Sequence, residues 1–396
     1  MSKTNHGPRG RAALPLKWEV SFLLIQAEPA SSLRSKVSPL WHPRSLADAL
    51  RVGLTQRPDQ LTRQFKMSYE STSHFPQRTK VALINETVEL LGYKKCNYPY
   101  GIPRCVGSYM WYDEESYKSW AGVELSVYDN PKDGVEVYTR SRSCRSYWDL
   151  THQNKTLKYL RDLFGGHFVT DAGRNRYWRP ESRPPPPLAS GCYLARWGFH
   201  NSLIKARIYL DHRKLEGDMA KDKPSGLIWL DDMNPRLLSN NLLLPYVIAV
   251  WEEYFRATFI AALKFSGQRK GAIKNARITH IQIEQIANGT LSTEQAIAST
   301  FSFQRPTVIS ENFRQLDPKT DILGALRKPY RRRKISLHES IEALVESRNI
   351  FVHAGHMNLE LFDKQLRSVL DDMTVAVDRA YEHIAKHYGF TAIHDY

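Results

Sequence analysis

The side chains best suited to chemistry lie together near residue 350, in the stretch ESRNIFVHAGH at residues 346–356. It contains a guanidinium (Arg348), a carboxamide (Asn349) and an imidazole (His353). A guanidinium can hold a phosphate through paired donors, and an imidazole exchanges a proton near neutral pH. These three residue types therefore predict chemistry at a phosphate, provided that the surrounding elements bring them to one place.

The spacing of the neighbouring residues predicts a helix whose apolar face is interrupted by Arg348. At about 100° per residue, the guanidinium falls in the same sector as the apolar side chains. These are Ile341, Leu344, Val345 and Val352. An adjacent polar stripe follows helical spacing and consists of Glu342, Glu346, Asn349 and His353.

A cation on an apolar face has two explanations, because its burial is costly unless the charge is paired or partly hydrated. The first is an internal ion pair with Glu252 or Glu253, while His353 merely caps the C-terminus of its helix. The second is a face turned towards a second protomer, so that two copies each of Arg348 and His353 line a polar cleft that receives a phosphate. Spacing alone favours neither explanation.

The segment RNIFVH, Arg348 to His353, resembles the R-x(4–6)-H signature of the HEPN superfamily (higher eukaryotes and prokaryotes nucleotide-binding domain), in which a polar residue usually follows the arginine. The preceding carboxylates and a long closing helix are also similar to that domain, and the likeness spans roughly residues 239–390. Other arginine–histidine pairs in this chain have the same spacing. The pair Arg161–His167 is excluded because Gly165 and Gly166 break a helix, and Arg207–His212 because a strand is predicted there.

The resemblance implies a metal-independent endoribonuclease that forms its site by dimerising and acts in phage defence or as a regulated toxin. His353 would withdraw the proton from a ribose 2′-OH or protonate the leaving 5′-oxygen. Arg348 would stabilise the charge on the scissile phosphate, and Asn349 would orient the imidazole or bind a phosphate oxygen. The expected products are a 2′,3′-cyclic phosphate and a 5′-hydroxyl. Neither a metal nor another cofactor is expected.

Two other functions remain open at this stage. The chain could be a catalytically inactive HEPN-type module that dimerises and binds a nucleotide or RNA at Arg348. It could also be a helical scaffold whose basic surface binds RNA without cleaving it. The scaffold predicts that His353 can be replaced without loss of function.

A dense basic run, KPYRRRK at residues 328–334, directly precedes the helix of Arg348. Charge runs usually form solvated faces, but this position predicts phosphate steering at the mouth of the cleft. The RNA-binding residues expected there are Arg331, Arg332, Arg333 and Lys334. Cations and aromatic residues also alternate at residues 138–148 and 174–179, which is typical both of RNA-binding surfaces and of ordinary sheet faces. The N-terminal domain would otherwise sense a ligand or a protein partner that regulates the nuclease.

The composition of the chain agrees with a polyanionic partner. It has 396 residues and a formal net charge of +15, which attracts nucleic acid before acidic membranes. Its four cysteines are too widely spaced for a C-x-x-C metal site and too few for a disulfide framework. We identify neither a membrane span nor a convincing signal peptide, so a cytoplasmic location and no membrane partner are expected.

The chain reads as an α+β protein with four consecutive parts. Residues 1–66 are a loosely ordered basic extension, 67–213 an α+β domain, 214–238 a linker and 239–396 an all-α bundle of four to five helices.

Local patterns predict the main elements of the two domains. A short helix is expected at residues 79–91, a β-hairpin around the turn at residues 129–134, and strands within residues 196–210. Long helices are expected from residue 243 to 265, from 336 to 353 and in the closing segment, with Ser336 and Glu339 in capping-box spacing. Shorter helices are predicted at residues 281–299 and 320–326.

Overall fold

The computed structural model describes residues 68–96, 103–130, 134–180, 183–213, 222–331 and 333–394. The predicted extension at residues 1–66 and residues 214–221 of the predicted linker lie outside the described residues. Within the described ranges the protein is α+β: an antiparallel sheet comes first in the chain, followed by a helical region. The predicted fold class is therefore confirmed.

Among the described residues, the sheet has seven strands in the order β2-β3-β4-β5-β1-β6-β7, and every pairing is antiparallel. Its strands are β1 (Ser68–His74), β2 (Lys94–Lys95), β3 (Cys105–Trp111), β4 (Val123–Asn130), β5 (Gly134–Arg142), β6 (His167–Thr170) and β7 (Gly173–Arg174). Strands β4 and β5 pair directly, so the predicted hairpin is confirmed.

Two helices pack against this sheet, α1 (Val81–Leu90) and α2 (Tyr147–Phe164). Apolar residues alternate with polar ones along β4, which directs one set of side chains towards the helices. The resulting core joins buried residues of β4 to buried residues of both helices, namely Val123, Leu125, Val127, Ile84, Val88 and Leu160. Helix α1 confirms the element predicted at residues 79–91.

In the part of the helical region that the structure describes, there are four long helices with shorter ones around them. The long ones are α3 (Pro187–His212), α5 (Pro235–Phe265), α11 (Leu337–Ala354) and α12 (Asp363–Tyr388). The short ones are α4 (Ile228–Asp232), α6 (Lys270–Asn275), α7 (His280–Ala287), α8 (Thr293–Ala298), α9 (Pro306–Leu316) and α10 (Ile322–Arg327). The helix predicted at residues 281–299 is therefore divided into α7 and α8.

The prediction of strands within residues 196–210 is wrong, because this segment belongs to α3. Its buried residues Phe199, Leu203, Ala206 and Leu210 follow helical spacing and join the core formed by α5 and α12. The helical core thus begins at α3, earlier in the chain than the predicted boundary at residue 213. Helix α4 and the first turn of α5 also lie within the segment predicted to be a linker.

Helix α11 begins and ends where the sequence predicts. The Ser336 side chain accepts a hydrogen bond from the Glu339 amide, and the Glu339 carboxylate accepts one from the Ser336 amide. At the other end Gly355 adopts a left-handed conformation with φ 71°, and its N–H donates to the carbonyl of Phe351. These two caps fix the length of the helix that carries Arg348 and His353.

Candidate functional site

Arg348 is half-buried in α11, and one of its donors has no partner among the described residues. Its Nη1 donates to Asn349 Oδ1 at 2.9 Å. Its Nε is shielded from solvent and makes no hydrogen bond within the described ranges. Because a buried donor without an acceptor carries a desolvation penalty of about 1–3 kcal/mol, this guanidinium is poised to gain from an added acceptor.

The internal ion pair considered for Arg348 does not form among the described residues. Glu252 and Glu253 instead both pair with Arg256 on their own helix, at 3.7 Å and 2.8 Å. The alternative in which α5 neutralises Arg348 therefore has no support in this arrangement.

His353 lies in the last turn of α11 and is exposed. Asn349 precedes it by one turn, so their side chains project from the same side of the helix. Within the described part of the chain, the imidazole makes neither a hydrogen bond nor an ion pair, so it is accessible to a ligand.

The other end of the polar stripe is occupied by contacts within the protein. Arg305 binds Glu342 at 3.1 Å and Glu346 at 2.5 Å, and the hydrogen bond to Glu346 is the main reason that the pKa of this guanidinium is raised. The hydroxyl of Thr307 also donates to Glu342. The carboxylates are thus structural, and only Asn349 and His353 of the stripe are available for chemistry.

Large apolar side chains are exposed near the same end of α11. Ile350 and Val352 are 45% and 46% exposed. They project about 160° apart around the helix, and only Val352 continues the apolar face beyond the core. Asn358 links this end to α5, since its backbone N–H donates to Asn241 Oδ1 and its Nδ2 donates to Ser347 Oγ.

The neighbouring part of α5 also exposes apolar side chains. Leu238 and Leu242, close to Asn241 in the sequence, are 45% and 59% exposed. In the preceding short helix, α4, Ile228 and Trp229 are exposed as well. An exposed apolar surface of this kind is typical of a protein–protein interface.

The predicted basic run has a mixed role. Arg331 and Lys334 are exposed, and Arg331 lies 5.0 Å from the centre of the Tyr330 ring. Arg332 lies outside the described residues. Arg333 is a structural residue, because its Nη1 donates to both oxygens of the buried Asp372, at 2.7 Å and 2.5 Å.

The basic run does not lie at the mouth of a cleft around Arg348, as the sequence suggested. It adjoins the first turn of α11, whereas Arg348 and His353 follow 11 and 16 residues after Leu337. At about 1.5 Å per residue, they are about 17 Å and 24 Å further along the helix. The basic run therefore lies at the N-terminal end of α11, and Arg348 and His353 lie towards its C-terminal end.

A cationic cavity beside this run was missed by the sequence analysis. It has a volume of about 770 Å³ and combines Lys328 with residues of α12, namely Arg379, His383, Lys386 and His387, and its one acidic lining residue among those described is Glu382. Arg379 donates to the carbonyls of Lys328 and Pro329, at 2.8 Å and 2.9 Å, which holds the α10–α11 segment against α12. In the sequence, the i, i+4 spacing of Arg379, His383 and His387 indicates that these side chains share one face of a helix. That Lys328 lies beside them is evident only from the tertiary structure.

One histidine of this cavity has a defined tautomer. The backbone N–H of Asp321 donates to His383 Nε2 at 3.2 Å, so the neutral ring carries its proton on Nδ1. Burial, together with the neighbouring His387, lowers the pKa of His383. This imidazole is therefore a neutral donor beside the three cations.

The cation–aromatic segments of the N-terminal part are largely engaged within the protein. Arg142 binds Glu124 at 2.7 Å, and the Arg145 guanidinium stacks 3.4 Å above the centre of the Tyr69 ring. Trp178 is buried beside the same tyrosine. These contacts account for most of the alternating cations and aromatics as elements of sheet and helix packing.

A second pair with the R-x4-H spacing lies on a continuous helix, although it was excluded as a strand. Arg207 and His212 both belong to α3. Arg207, however, donates to Asp371 at 2.9 Å and to Thr374 at 3.2 Å on α12. Its guanidinium is thus committed to packing between helices, in contrast to that of Arg348.

No family model, curated protein or solved structure matches this chain significantly. Within the described ranges, no group of His, Cys, Asp and Glu side chains has the arrangement of a metal site. None of the described helices combines the length and the apolar composition that a membrane span requires.

Proposed function

We propose that the protein is an endoribonuclease whose site combines Arg348, Asn349 and His353 at the interface of a homodimer. The observation that supports this most directly is the half-buried Arg348, whose Nε has no acceptor in the described protein. A phosphate oxygen would supply that acceptor. The net charge of +15 favours a polyanionic substrate.

The direction of the side chains around α11 argues for two protomers. Five residues separate Arg348 from His353, so they project about 140° apart. One helix does not readily direct both at the same phosphate. In a two-fold symmetric dimer, Arg348 of one protomer would face His353 of its partner, and the exposed Val352, on the same side of the helix as Arg348, would be covered.

The proposed reaction needs no group beyond these side chains and the RNA. His353 removes the proton from the ribose 2′-OH, the 2′-oxygen forms a bond to phosphorus, and the bond from phosphorus to the 5′-oxygen breaks. The imidazolium of His353 formed in this way then gives its proton to the departing 5′-oxygen. Arg348 stabilises the negative charge on the phosphate oxygens, and Asn349 positions the guanidinium through their hydrogen bond. DNA lacks the attacking hydroxyl and is not cleaved.

The basic cavity formed by Lys328, Arg379 and Lys386 is proposed to bind the backbone of the same RNA. Its separation from His353 means that it positions the strand without contacting the scissile bond. A role in phage defence or as a regulated toxin follows only from the resemblance to HEPN proteins.

The proposal is tested by cleavage of total RNA in EDTA. Arg348→Ala and His353→Ala should each reduce the rate by at least about 100-fold, and Arg348→Lys should restore little because it lacks paired donors. His356→Ala is the matched control, since this exposed histidine lies beyond the end of α11. Product ends should carry a 2′,3′-cyclic phosphate. Unchanged cleavage by His353→Ala would refute the mechanism.

Mixing the two inactive variants tests whether the site is shared. A heterodimer of Arg348→Ala with His353→Ala retains one site in which both side chains are intact, provided that they come from different protomers. With equal amounts and free exchange, about a quarter of the wild-type activity should return. No recovery in verified heterodimers would place both groups in one protomer. An inactive wild type that dimerises through Arg348 would support the binding module instead.

A further inference from the structure

A cleft of about 630 Å³ lies where the sheet part meets the helical core, far along the chain from Arg348. Its walls come from the turn between β5 and α2, from the start of α3 and from the segment that follows α12. Ligand pockets commonly have volumes of about 300–1,000 Å³, so this cleft could hold one small molecule.

Aromatic side chains form much of the wall. Trp120, Tyr147, Tyr193 and Phe390 all line the cleft, and of these Tyr193 is buried whereas the other three are half-buried. The rings of Trp120 and Tyr193 lie 4.2 Å apart between centroids, and Trp120 Nε1 donates to Ser190 Oγ at 2.6 Å. This hydrogen bond fixes the indole ring, which gives the cleft a rigid surface on which a planar base can stack.

The charged groups of the lining are positive. Arg145 and Arg183 contribute guanidinium groups, and none of the described residues that line the cleft is a carboxylate. Arg183 is exposed, whereas Arg145 is held by stacking on Tyr69. An anionic group is therefore favoured at this site, and paired guanidinium donors suit a phosphate.

Asp149, the carboxylate nearest in the sequence to the arginine-bearing turn, stabilises the walls of the cleft. Asp149 Oδ2 accepts hydrogen bonds from the backbone N–H groups of Ser146, Trp120 and Ala121, at 2.8 Å, 3.1 Å and 3.2 Å. Asp149 thus ties the loop of Trp120 to the first turn of α2. The aromatic wall and the arginine-bearing turn are positioned before any ligand arrives.

We propose that this cleft binds a nucleotide, with the base against the aromatic wall and the phosphate at Arg183. The inference goes beyond the nuclease proposal and does not depend on it, because none of the cleft residues belongs to α11. It assigns a ligand class to the region that joins the sheet part to the helical core.

The test is binding of AMP, CMP, GMP and UMP to the purified full chain, measured by calorimetry at low salt. At least one should bind with a Kd below about 1 mM, and its nucleoside should bind at least about tenfold more weakly because it lacks the phosphate. Arg183→Ala should weaken the nucleotide by about tenfold, while the matched surface variant Arg174→Ala should leave binding unchanged. Tyr147→Leu should also weaken it, whereas Tyr147→Phe should not.

Several outcomes would overturn the proposal. They are the absence of binding by all four nucleotides, equal affinity for nucleotide and nucleoside, and equal losses in Arg183→Ala and Arg174→Ala. A doubly substituted Arg348→Ala, His353→Ala protein should bind the nucleotide normally. If binding is lost there, the nucleotide occupies the α11 site and the cleft is not its binding site. Thermal unfolding of each variant separates loss of binding from loss of folding.

Discussion

Replacement of Arg333 should destabilise the fold, although the residue belongs to a run that resembles an RNA-binding patch. Arg333 donates to both oxygens of Asp372, whose side chain is only 4% exposed. In Arg333→Ala, the carboxylate would keep only the hydrogen bond from Ser340 Oγ at 2.8 Å. Breaking a fully buried pair costs about 3–5 kcal/mol. Since Arg333 is itself about one-third exposed, we expect about 2–3 kcal/mol.

Thermal unfolding measures this effect. With an unfolding entropy of about 2.1 cal/mol/K per residue, a loss of about 2–3 kcal/mol lowers the Tm of a unit of this size by about 3–4 °C. Arg331→Ala and Lys334→Ala are the matched controls and should shift the Tm by less than about 1 °C, because both side chains are exposed. Adding Asp372→Asn to Arg333→Ala should recover part of the loss by removing the uncompensated charge.

The reasoning would be refuted by an Arg333→Ala protein that unfolds at the wild-type temperature but binds RNA more weakly. Arg333 would then act on RNA, as the sequence suggested. A loss of the same size in Arg331→Ala would also contradict it, since the effect would reflect the charge of the run and not the contact with Asp372.

Three further predictions concern caps, pH and salt. Gly355→Ala should lower the free energy of unfolding by about 1 kcal/mol because φ is 71° there, whereas Gly198→Ala inside α3 should raise it by about 0.5–1 kcal/mol. Nothing lies within 4 Å of either added Cβ, so the two variants differ only in their backbone effects, which chemical denaturation measures. Burial lowers the pKa of His152 from 6.5 to about 4. On acidification the unfolded chain therefore binds this proton at a higher pH than the folded chain does, and the free energy of unfolding should fall by up to about 3 kcal/mol between pH 6.5 and pH 4. His152→Gln should remove this part of the pH dependence, and an unchanged profile would refute the assignment. Replacing Lys328 and Lys386 together by Gln should reduce the slope of log K against log salt for single-stranded RNA by about 1.4, and no change would exclude both lysines from phosphate contact.

The sequence predicted best those features that depend on neighbouring residues. Ser336, Glu339 and Gly355 define both ends of α11 through contacts within one turn, and the hairpin of β4 and β5 depends on a short turn. Helix α3 was mistaken for strands because Trp197, Phe199, Ile204 and Ile208 favour strands by composition. The spacing of its buried residues was helical, but the core that selects this spacing is formed by distant helices.

Roles that depend on a distant partner were not predictable. Arg333 resembles its neighbours Arg331 and Lys334 in the sequence, and only the position of Asp372, 39 residues away, makes it structural. The cavity of Lys328 and α12 likewise joins segments far apart in the chain. The surroundings of Arg348 also depend on more than helical spacing: this residue is half-buried, whereas Val352, in the same sector of the helix, is open to solvent.

The two edges of the sheet limit the ways in which copies of this molecule can associate. Strands β2 and β7 are each two residues long, and they contain Lys94, Lys95 and Arg174. Short cationic edges are poor templates for adding a strand from another molecule. Continuation of the sheet between molecules, and the fibrous aggregation that can follow from it, is disfavoured at these edges.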